Sequence, residues 1–228
     1  MRIAEIYRSI QGEGLLTGTE SVFVRASGCN LRCWYCDTPF TSWTPEGDDL
    51  SVDEVTSRVL DLDCRHVVLT GGEPMLFAEL IPLSAALQAA GRHITIETAG
   101  TLYLPVVCDL MSISPKLANS TPTEEVAGKW RARHERVRHA PEVIRRLLGE
   151  YSYQLKFVVD TLDDTDEVER YLADFLEIDR SLVMLMPQGT DVATLASHAE
   201  WLEPYCQEHG LCYCPRKHIE WFGFARGT

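Results

Sequence analysis

Apolar residues recur along the chain in two alternating rhythms. Short runs rich in β-branched and aliphatic residues read as buried strands: HVVLT at His66–Thr70, HITIE at His93–Glu97, Val106–Ser112, QLKFVV at Gln154–Val159 and LVMLM at Leu182–Met186. Arg2–Arg8 and Ser21–Ala26 are two further strand candidates, joined through the glycine-rich turn Gln11-Gly12-Glu13-Gly14. Segments of helical period lie between the runs, at Ser51–Leu62, Phe77–Ala90, Pro141–Gly149, Asp163–Leu176 and Asp191–Glu208. Ser51 with Glu54 three residues on is a capping box, which fixes where the first of these helices starts. Between Pro115 and Pro141 the rhythm lapses; LANSTPTEE is loop-like and the stretch after it is basic. Strands alternating with helices indicate parallel βαβ units. A closed eightfold barrel takes about 250 residues, so the expected fold is α/β, a partial (incomplete) (β/α) barrel with parallel strands. One domain is expected over residues 1–228, with its core at about 20–210.

Composition narrows the class. With 228 residues, 45% hydrophobic and 24% charged, the chain can bury a core without staples. A formal net charge of −13 argues against a protein that tracks nucleic-acid phosphates, so no nucleic acid is expected as a partner. The longest largely apolar stretch, Leu80–Ala90, carries Pro82, Ser84 and Gln88 and falls short of the ~18–20 residues that a membrane span needs. MRIAEIYRSIQGEG has no apolar core followed by a small-residue cleavage site, unlike a secretory signal. The expectation is a cytoplasmic chain with no membrane partner, whose eight cysteines are thiols rather than disulfides.

Three of those cysteines stand in one run, Cys29-Asn30-Leu31-Arg32-Cys33-Trp34-Tyr35-Cys36, spaced C-x3-C-x2-C. Such a run lets three thiolates converge from one loop on one inorganic centre. A closed zinc site wants a fourth ligand and would have to borrow Cys212 or Cys214, far along the chain on a strand-like segment. A [4Fe–4S] cluster on three thiolates instead leaves one iron open to a chelating small molecule. This spacing, with the aromatic Tyr35 before the last cysteine, resembles the signature of the radical S-adenosylmethionine (SAM) superfamily. The resemblance implies SAM held through its amino and carboxylate groups, and a partial barrel with the cluster loop after its first strand. Thr70-Gly71-Gly72-Glu73-Pro74 resembles the GGEP element, whose backbone meets the SAM amino group. Two glycines let main chain approach a ligand closely at the C-terminal end of a strand. Cys64, Cys108, Cys206, Cys212 and Cys214 are expected to be buried small hydrophobes or incidental thiols.

A wider ordered set narrows the resemblance. It comprises Ser9–Gly14, Val24–Cys29, Asp37-Thr38 after the third cysteine, Ser114–Ser120, Met186–Gly189 and Pro215–Ile219. From residue 4 to about 224 it resembles the 7-carboxy-7-deazaguanine synthase family. The resemblance implies that 6-carboxy-5,6,7,8-tetrahydropterin is contracted by radical chemistry to 7-carboxy-7-deazaguanine with loss of ammonia, in 7-deazapurine (queuosine-type) biosynthesis. The adenosyl radical takes hydrogen from C6 and later returns it, so SAM is recycled; no protein acid or base is implied. It also implies magnesium and a homodimer.

Roles carry over by position. Cys29, Cys33 and Cys36 match the cluster ligands. Thr38 matches the magnesium ligand, although alone it fits a loop residue capping its own backbone. Tyr35, Cys36, Asp37, Gly72, Ser114, Pro115, Lys116, Met186, Pro187, Gln188 and Gly189 correspond to SAM contacts. Ile10, Gln11, Gly12, Glu13, Arg25, Thr70 and His218 correspond to substrate contacts, with Arg25 gripping the carboxylate by its planar fork. Glu13 would accept from the guanidine-like N–H pair of the ring. Segments 1–20 and 211–228 would then contribute to the substrate site. His218, at a strand end, fits a structural residue equally well, and Lys116 alone would pass for a surface lysine.

Three alternatives stay open. Gly128–Arg146 holds Lys129, Arg131, Arg133, Arg136, Arg138, Arg145 and Arg146 against Glu135 and Glu142. It reads as a solvated helix face or as a docking patch for an acidic flavodoxin-like reductant. A radical activase acting on a partner protein would share the cluster loop and GGEP but has no need of Arg25, the QGEG loop or the Pro-Arg-x-His tail. A non-catalytic iron–sulfur or zinc module is the third, and its metal content, iron or zinc, would discriminate it.

Overall fold

Period-2 alternation sorts each strand's side chains between helices on one face and a concave cavity on the other. The computed structural model describes residues 1–228. Its nine strands are β1 (Arg2–Ile10), β2 (Glu20–Ala26), β3 (Asp48–Asp49), β4 (His66–Gly71), β5 (His93–Thr98), β6 (Leu110–Ile113), β7 (Tyr153–Val159), β8 (Val183–Pro187) and β9 (Cys212–Tyr213). They form one sheet in the order β3-β1-β2-β4-β5-β6-β7-β8-β9. From β2 to β9 every neighbour is parallel, and β1 runs antiparallel to both β2 and β3. The two ends are not paired, so the sheet is an open, partial barrel.

Short α1 (Pro39–Ser42) follows the cysteine loop, and α2 (Val52–Asp61) and α3 (Leu80–Ala89) make the first crossovers. The Ser51–Glu54 capping box forms as the spacing predicts: the Glu54 amide donates to Ser51 Oγ (3.2 Å) and the Ser51 amide to Glu54 Oε2 (2.8 Å). Further along come α4 (Glu124–Ala127), α5 (Lys129–Val137), α6 (Pro141–Glu150), α7 (Leu162–Asp174), α8 (Val192–His209) and α9 (Lys217–Phe222). Val67, Leu69, Ile94, Ile96, Leu155, Phe157, Val183 and Leu185 point at this layer and pack on Val55, Leu83, Leu87, Ile144, Leu147, Val168 and Leu202. Their intervening neighbours Arg25, Thr70, Glu97, Ser112, Lys156 and Met186 point the other way and line the cavity. No helix is long and apolar enough to cross a membrane.

Four expectations needed correction. Val106–Asp109 is not strand, because the Asp109 carboxylate accepts from the Ile94 amide (2.7 Å) and holds the chain off the ladder until Leu110. Residues 77–79 are not in α3; a 3₁₀ turn at Pro74–Leu76, capped by Glu73, precedes it. The lapse before Pro141 holds two helices, α4 and α5, which carry little apolar periodicity because most of α5 is basic and exposed. His218 lies in helix α9, not at a strand end.

Candidate active site

The cysteine loop leaves β2 and has no regular structure of its own, so its backbone is held from outside. Asn30 Nδ2 donates to Thr101 Oγ1 (2.9 Å), and the Arg32 amide donates to Nδ1 of the buried His134 on α5 (3.1 Å). The Arg32 guanidinium donates to the carbonyls of Cys29 (2.9 Å) and Leu31 (2.6 Å) and lies 3.9 Å from the Trp130 ring centre. Trp43 Nε1 donates to the Cys33 carbonyl (3.1 Å). All three thiols open onto one cavity of about 520 Å³, within the ~300–1,000 Å³ usual for ligand sites. Burial pushes the thiols of Cys29 and Cys33 up to about 12. They therefore stay protonated until a metal replaces the proton.

The glycine turn after β4 closes against this loop. A side chain at Gly72 would put its Cβ 2.2 Å from the Gly28 carbonyl oxygen and 2.9 Å from Cys29 Cβ. Gly71, at φ 135°, would place a Cβ 2.0 Å from the Ala26 carbonyl oxygen. Fully buried Glu73 accepts from the amides of Met75 (3.0 Å) and Ala99 (2.9 Å) and from the Thr98 hydroxyl (2.9 Å), fastening the ends of β4 and β5 together. Three thiols on one loop, with bare main chain of Gly72 beside them, fit a three-thiolate iron–sulfur cluster and a ligand chelated to it. The zinc alternative does not form: Cys212 and Cys214 lie outside the cavity, Cys212 Sγ donating to the Ser181 carbonyl and Cys214 Sγ accepting from the Gly14 amide.

The opposite wall is ionic. Lys156, 4% exposed, lies 2.9 Å from Glu13 Oε2 and 3.7 Å from Glu97 Oε1. Glu13 Oε1 lies 3.3 Å from Arg216 Nε and 3.9 Å from His218 Nδ1. Burial would raise the Glu13 carboxyl, but Lys156, Arg216 and His218 outweigh it and hold the group well below the usual carboxylate range. Burial is also the main influence on His218, and its pKa is lowered. Glu97 accepts from Gln11 Nε2 (3.2 Å) and from the Thr70 hydroxyl (2.8 Å). Arg25 donates from Nε to Glu5 Oε1 (2.7 Å) and from one Nη to the Tyr7 hydroxyl (2.7 Å), leaving its other Nη without a protein partner. Gly12 and Gly14 bring the QGEG turn in closely, since a Cβ would meet the His218 amide nitrogen at 2.5 Å or the Gln154 amide at 2.4 Å.

The cavity therefore gathers Cys29, Cys33, Tyr35, Cys36, Asp37, Thr38, Gly72, Ser114, Lys116, Met186 and Gln188 with Ile10, Gln11, Gly12, Glu13, Arg25, Thr70 and His218. Pro115, Pro187 and Gly189 do not line it; Gly189 acts behind the wall, its carbonyl accepting from Arg216 Nη1 (2.6 Å). The Lys116 ammonium is held on the Ser114 carbonyl and hydroxyl, both at 2.7 Å. Sequence reasoning did not single out Glu5, Tyr7, Glu97, Lys156 or Arg216; the tail Gly223–Thr228, within the expected 211–228 segment, does line the cavity. Glu97 and Lys156 had a signal: each is a charge inside an apolar strand run, in phase with Thr95 or Gln154 rather than with the core-facing Ile or Leu.

An open parallel barrel carrying a three-cysteine loop and a glycine turn at the C-terminal ends of its first parallel strands defines the radical SAM class, and residues 23–150 match the model of the Radical SAM superfamily. A 7-carboxy-7-deazaguanine synthase of Rhodopirellula baltica is 45% identical over 99% of this chain and 88% of its own length. Another, from Halobacterium salinarum, is 44% identical over 99% of this chain and 92% of its own. Within the superfamily, the chain belongs to the 7-carboxy-7-deazaguanine synthase family. Among solved structures, QueE from Escherichia coli superposes with a TM-score of 0.70 at 22% identity, covering 94% of this chain and 92% of that one. Streptococcus suis SuiB shares the fold more loosely, with a TM-score of 0.57 at 14% identity over 85% of this chain and 48% of its own.

Proposed function

We propose that this chain converts 6-carboxy-5,6,7,8-tetrahydropterin to 7-carboxy-7-deazaguanine with loss of ammonia, and that the cavity is divided between SAM on the thiol wall and the pterin on the ionic wall. The observation that carries the division is that the buried carboxylate of Glu13 and the partly free guanidinium of Arg25 face the same cavity as the three thiols. A carboxylate suits the N–H-rich edge of a pterin, and a guanidinium suits its carboxylate.

Cys29, Cys33 and Cys36 would hold a [4Fe–4S] cluster, with Tyr35, Asp37, Gly72, Ser114, Lys116, Met186 and Gln188 around SAM. Bound there, the two supply one-electron, hydrogen-abstracting chemistry. Thr38 would give Mg²⁺ one neutral oxygen, with substrate carboxylate and water completing a hard-oxygen shell. Gln11 and Thr70 hold Glu97 in place beside the ring, and Lys156 keeps Glu13 ionised and fixed. His218, its pKa lowered chiefly by burial, would serve as a hydrogen-bonding partner to the substrate. Residues 1–20 and 211–228 complete the substrate half of a single domain.

The same reading includes work in a reducing cytoplasm, a homodimer, and an acidic flavodoxin-like electron donor. All eight cysteines are unpaired. On α5, Lys129, Arg133 and Arg136 recur on one face without acidic partners, whereas Arg138, Arg145 and Arg146 are paired with Glu135, Glu142 and Glu150.

Arg25→Ala tests the division. Loss of a charge-assisted hydrogen bond to the substrate costs about 1.5–3 kcal/mol, or roughly 10- to 150-fold in pterin KM. Iron content and SAM affinity should be unchanged. A variant that loses SAM binding but keeps its pterin KM would reverse the assignment.

A further inference from the structure

Arg216 stands between β9 and α9 with its side chain 7% exposed, and its guanidinium reaches three separate segments. Nη1 donates to the Gly189 carbonyl beyond β8 (2.6 Å), Nε donates to Glu13 Oε1 (3.3 Å), and Nη2 donates to the Asp37 carboxylate beside the third cysteine of the loop. Its neighbours are locked to the QGEG turn. The Lys217 amide donates to the Gly12 carbonyl (3.0 Å), and the His218 amide nitrogen lies 2.5 Å from where a Gly12 Cβ would be.

We infer that Arg216 is a positioning residue that couples the two halves of the cavity, so that pterin bound at Glu13 tightens SAM bound beside Asp37. The inference rests on the division of the cavity proposed above. Its physical ground is the inequality of the three contacts. The contact to Glu13 is longer than the one to the Gly189 carbonyl, and Glu13 is already shared with Lys156 at 2.9 Å. Ring N–H donors that occupy Glu13 compete with the Arg216 Nε and leave the fork to Asp37 and the Gly189 carbonyl. A ligand shifts such an equilibrium only through its different affinity for the two arrangements, and here the arrangements differ in which carboxylate holds the fork. The coupling is reciprocal, so SAM tightens the pterin by the same factor.

The test is anaerobic equilibrium dialysis of radiolabelled SAM against the cluster-loaded, unreduced protein, with and without 6-carboxytetrahydropterin. Wild type is expected to bind SAM about tenfold more tightly with the pterin present. Arg216→Lys keeps the charge without the fork, and Arg216→Gln removes both; each should bring the ratio to about one. Lys217→Ala, which removes only an exposed pair with Glu220, should keep the wild-type ratio. If Arg216→Gln fails to load iron, Arg216→Lys decides. A tenfold ratio that survives in the loaded Arg216 variants overturns the inference, as does a wild-type ratio of one. A wild type that makes deazaguanine without coupling sinks this inference alone. A wild type that neither binds nor converts the pterin sinks the division of the cavity and the coupling with it.

Discussion

Replacing Lys156 with methionine removes the central positive charge of the ionic wall while nearly preserving side-chain length. The ammonium lies 2.9 Å from Glu13 and 3.7 Å from Glu97 and is 4% exposed, so both carboxylates lose a partner from which water is excluded. Breaking a buried pair from one side costs about 3–5 kcal/mol. The lower end applies here, because Glu13 keeps Arg216 and Glu97 keeps its hydrogen bonds from Gln11 and Thr70. At ~2–4 °C per kcal/mol for a chain of this size, a loss of about 3 kcal/mol lowers the melting temperature by roughly 6–12 °C. The assay is anaerobic thermal denaturation at neutral pH, comparing wild type and variants of equal iron content. The double variant Lys156→Met/Glu13→Gln should recover part of the loss, since it removes the stranded charge. The acid limb adds a second reading. Glu13 is held below its ordinary value in the fold, so its contribution is complete above the unfolded value near ~4.3 and is lost as pH falls below it. Wild type therefore loses more stability on acidification than Lys156→Met. A melting temperature within about 2 °C of wild type would refute the reasoning, and so would a double variant showing the full sum of the single losses.

The other predictions concern the thiol wall. Burial lowers the pKa of His134 to about 4. The unfolded chain takes up this proton from about pH 6.5 downward while the fold does not, so stability falls as pH drops from 6.5 to 4, by about 1–2 kcal/mol between pH 7 and 5; His134→Gln should flatten that slope in urea titrations. Gly72→Ala has to displace main chain at Gly28, 2.2 Å from the new Cβ; SAM binding should fall at least tenfold, and a variant that binds like wild type would show that the turn has slack. Changing any of Cys29, Cys33 or Cys36 to Ala should abolish retention of the cluster's iron, whereas Cys212→Ala should retain it.

The architecture was readable because apolar runs dominate it. HVVLT, HITIE and QLKFVV became β4, β5 and β7 within a residue or so of the expected limits. Helix α5 was not, since its stability comes from His134 reaching the cysteine loop and Trp130 stacking on Arg32, contacts that leave no amphipathic stripe. The thiol wall was the most readable part of the site, being contiguous in sequence. The ionic wall was only half visible: Glu13 and Arg25 were carried by the family pattern, but Lys156, Glu97 and Arg216 meet them across 143, 86 and 203 positions in Lys156–Glu13, Glu97–Gln11 and Arg216–Glu13. Strand register brings Glu97 and Lys156 to one face, and the loops that carry Gln11, Glu13 and Arg216 fold over it. Period 2 puts Lys156 on the concave face, and that inference needs no homologue.

Catalysis itself is decided by one anaerobic turnover experiment. The cluster-loaded protein, with SAM, dithionite, Mg²⁺ and 6-carboxytetrahydropterin, is followed by mass spectrometry for 7-carboxy-7-deazaguanine, SAM and 5′-deoxyadenosine. Many molecules of deazaguanine per SAM consumed is the predicted result. SAM cleaved to 5′-deoxyadenosine on an intact cluster, with no deazaguanine formed, would contradict the substrate assignment while leaving the radical SAM class intact.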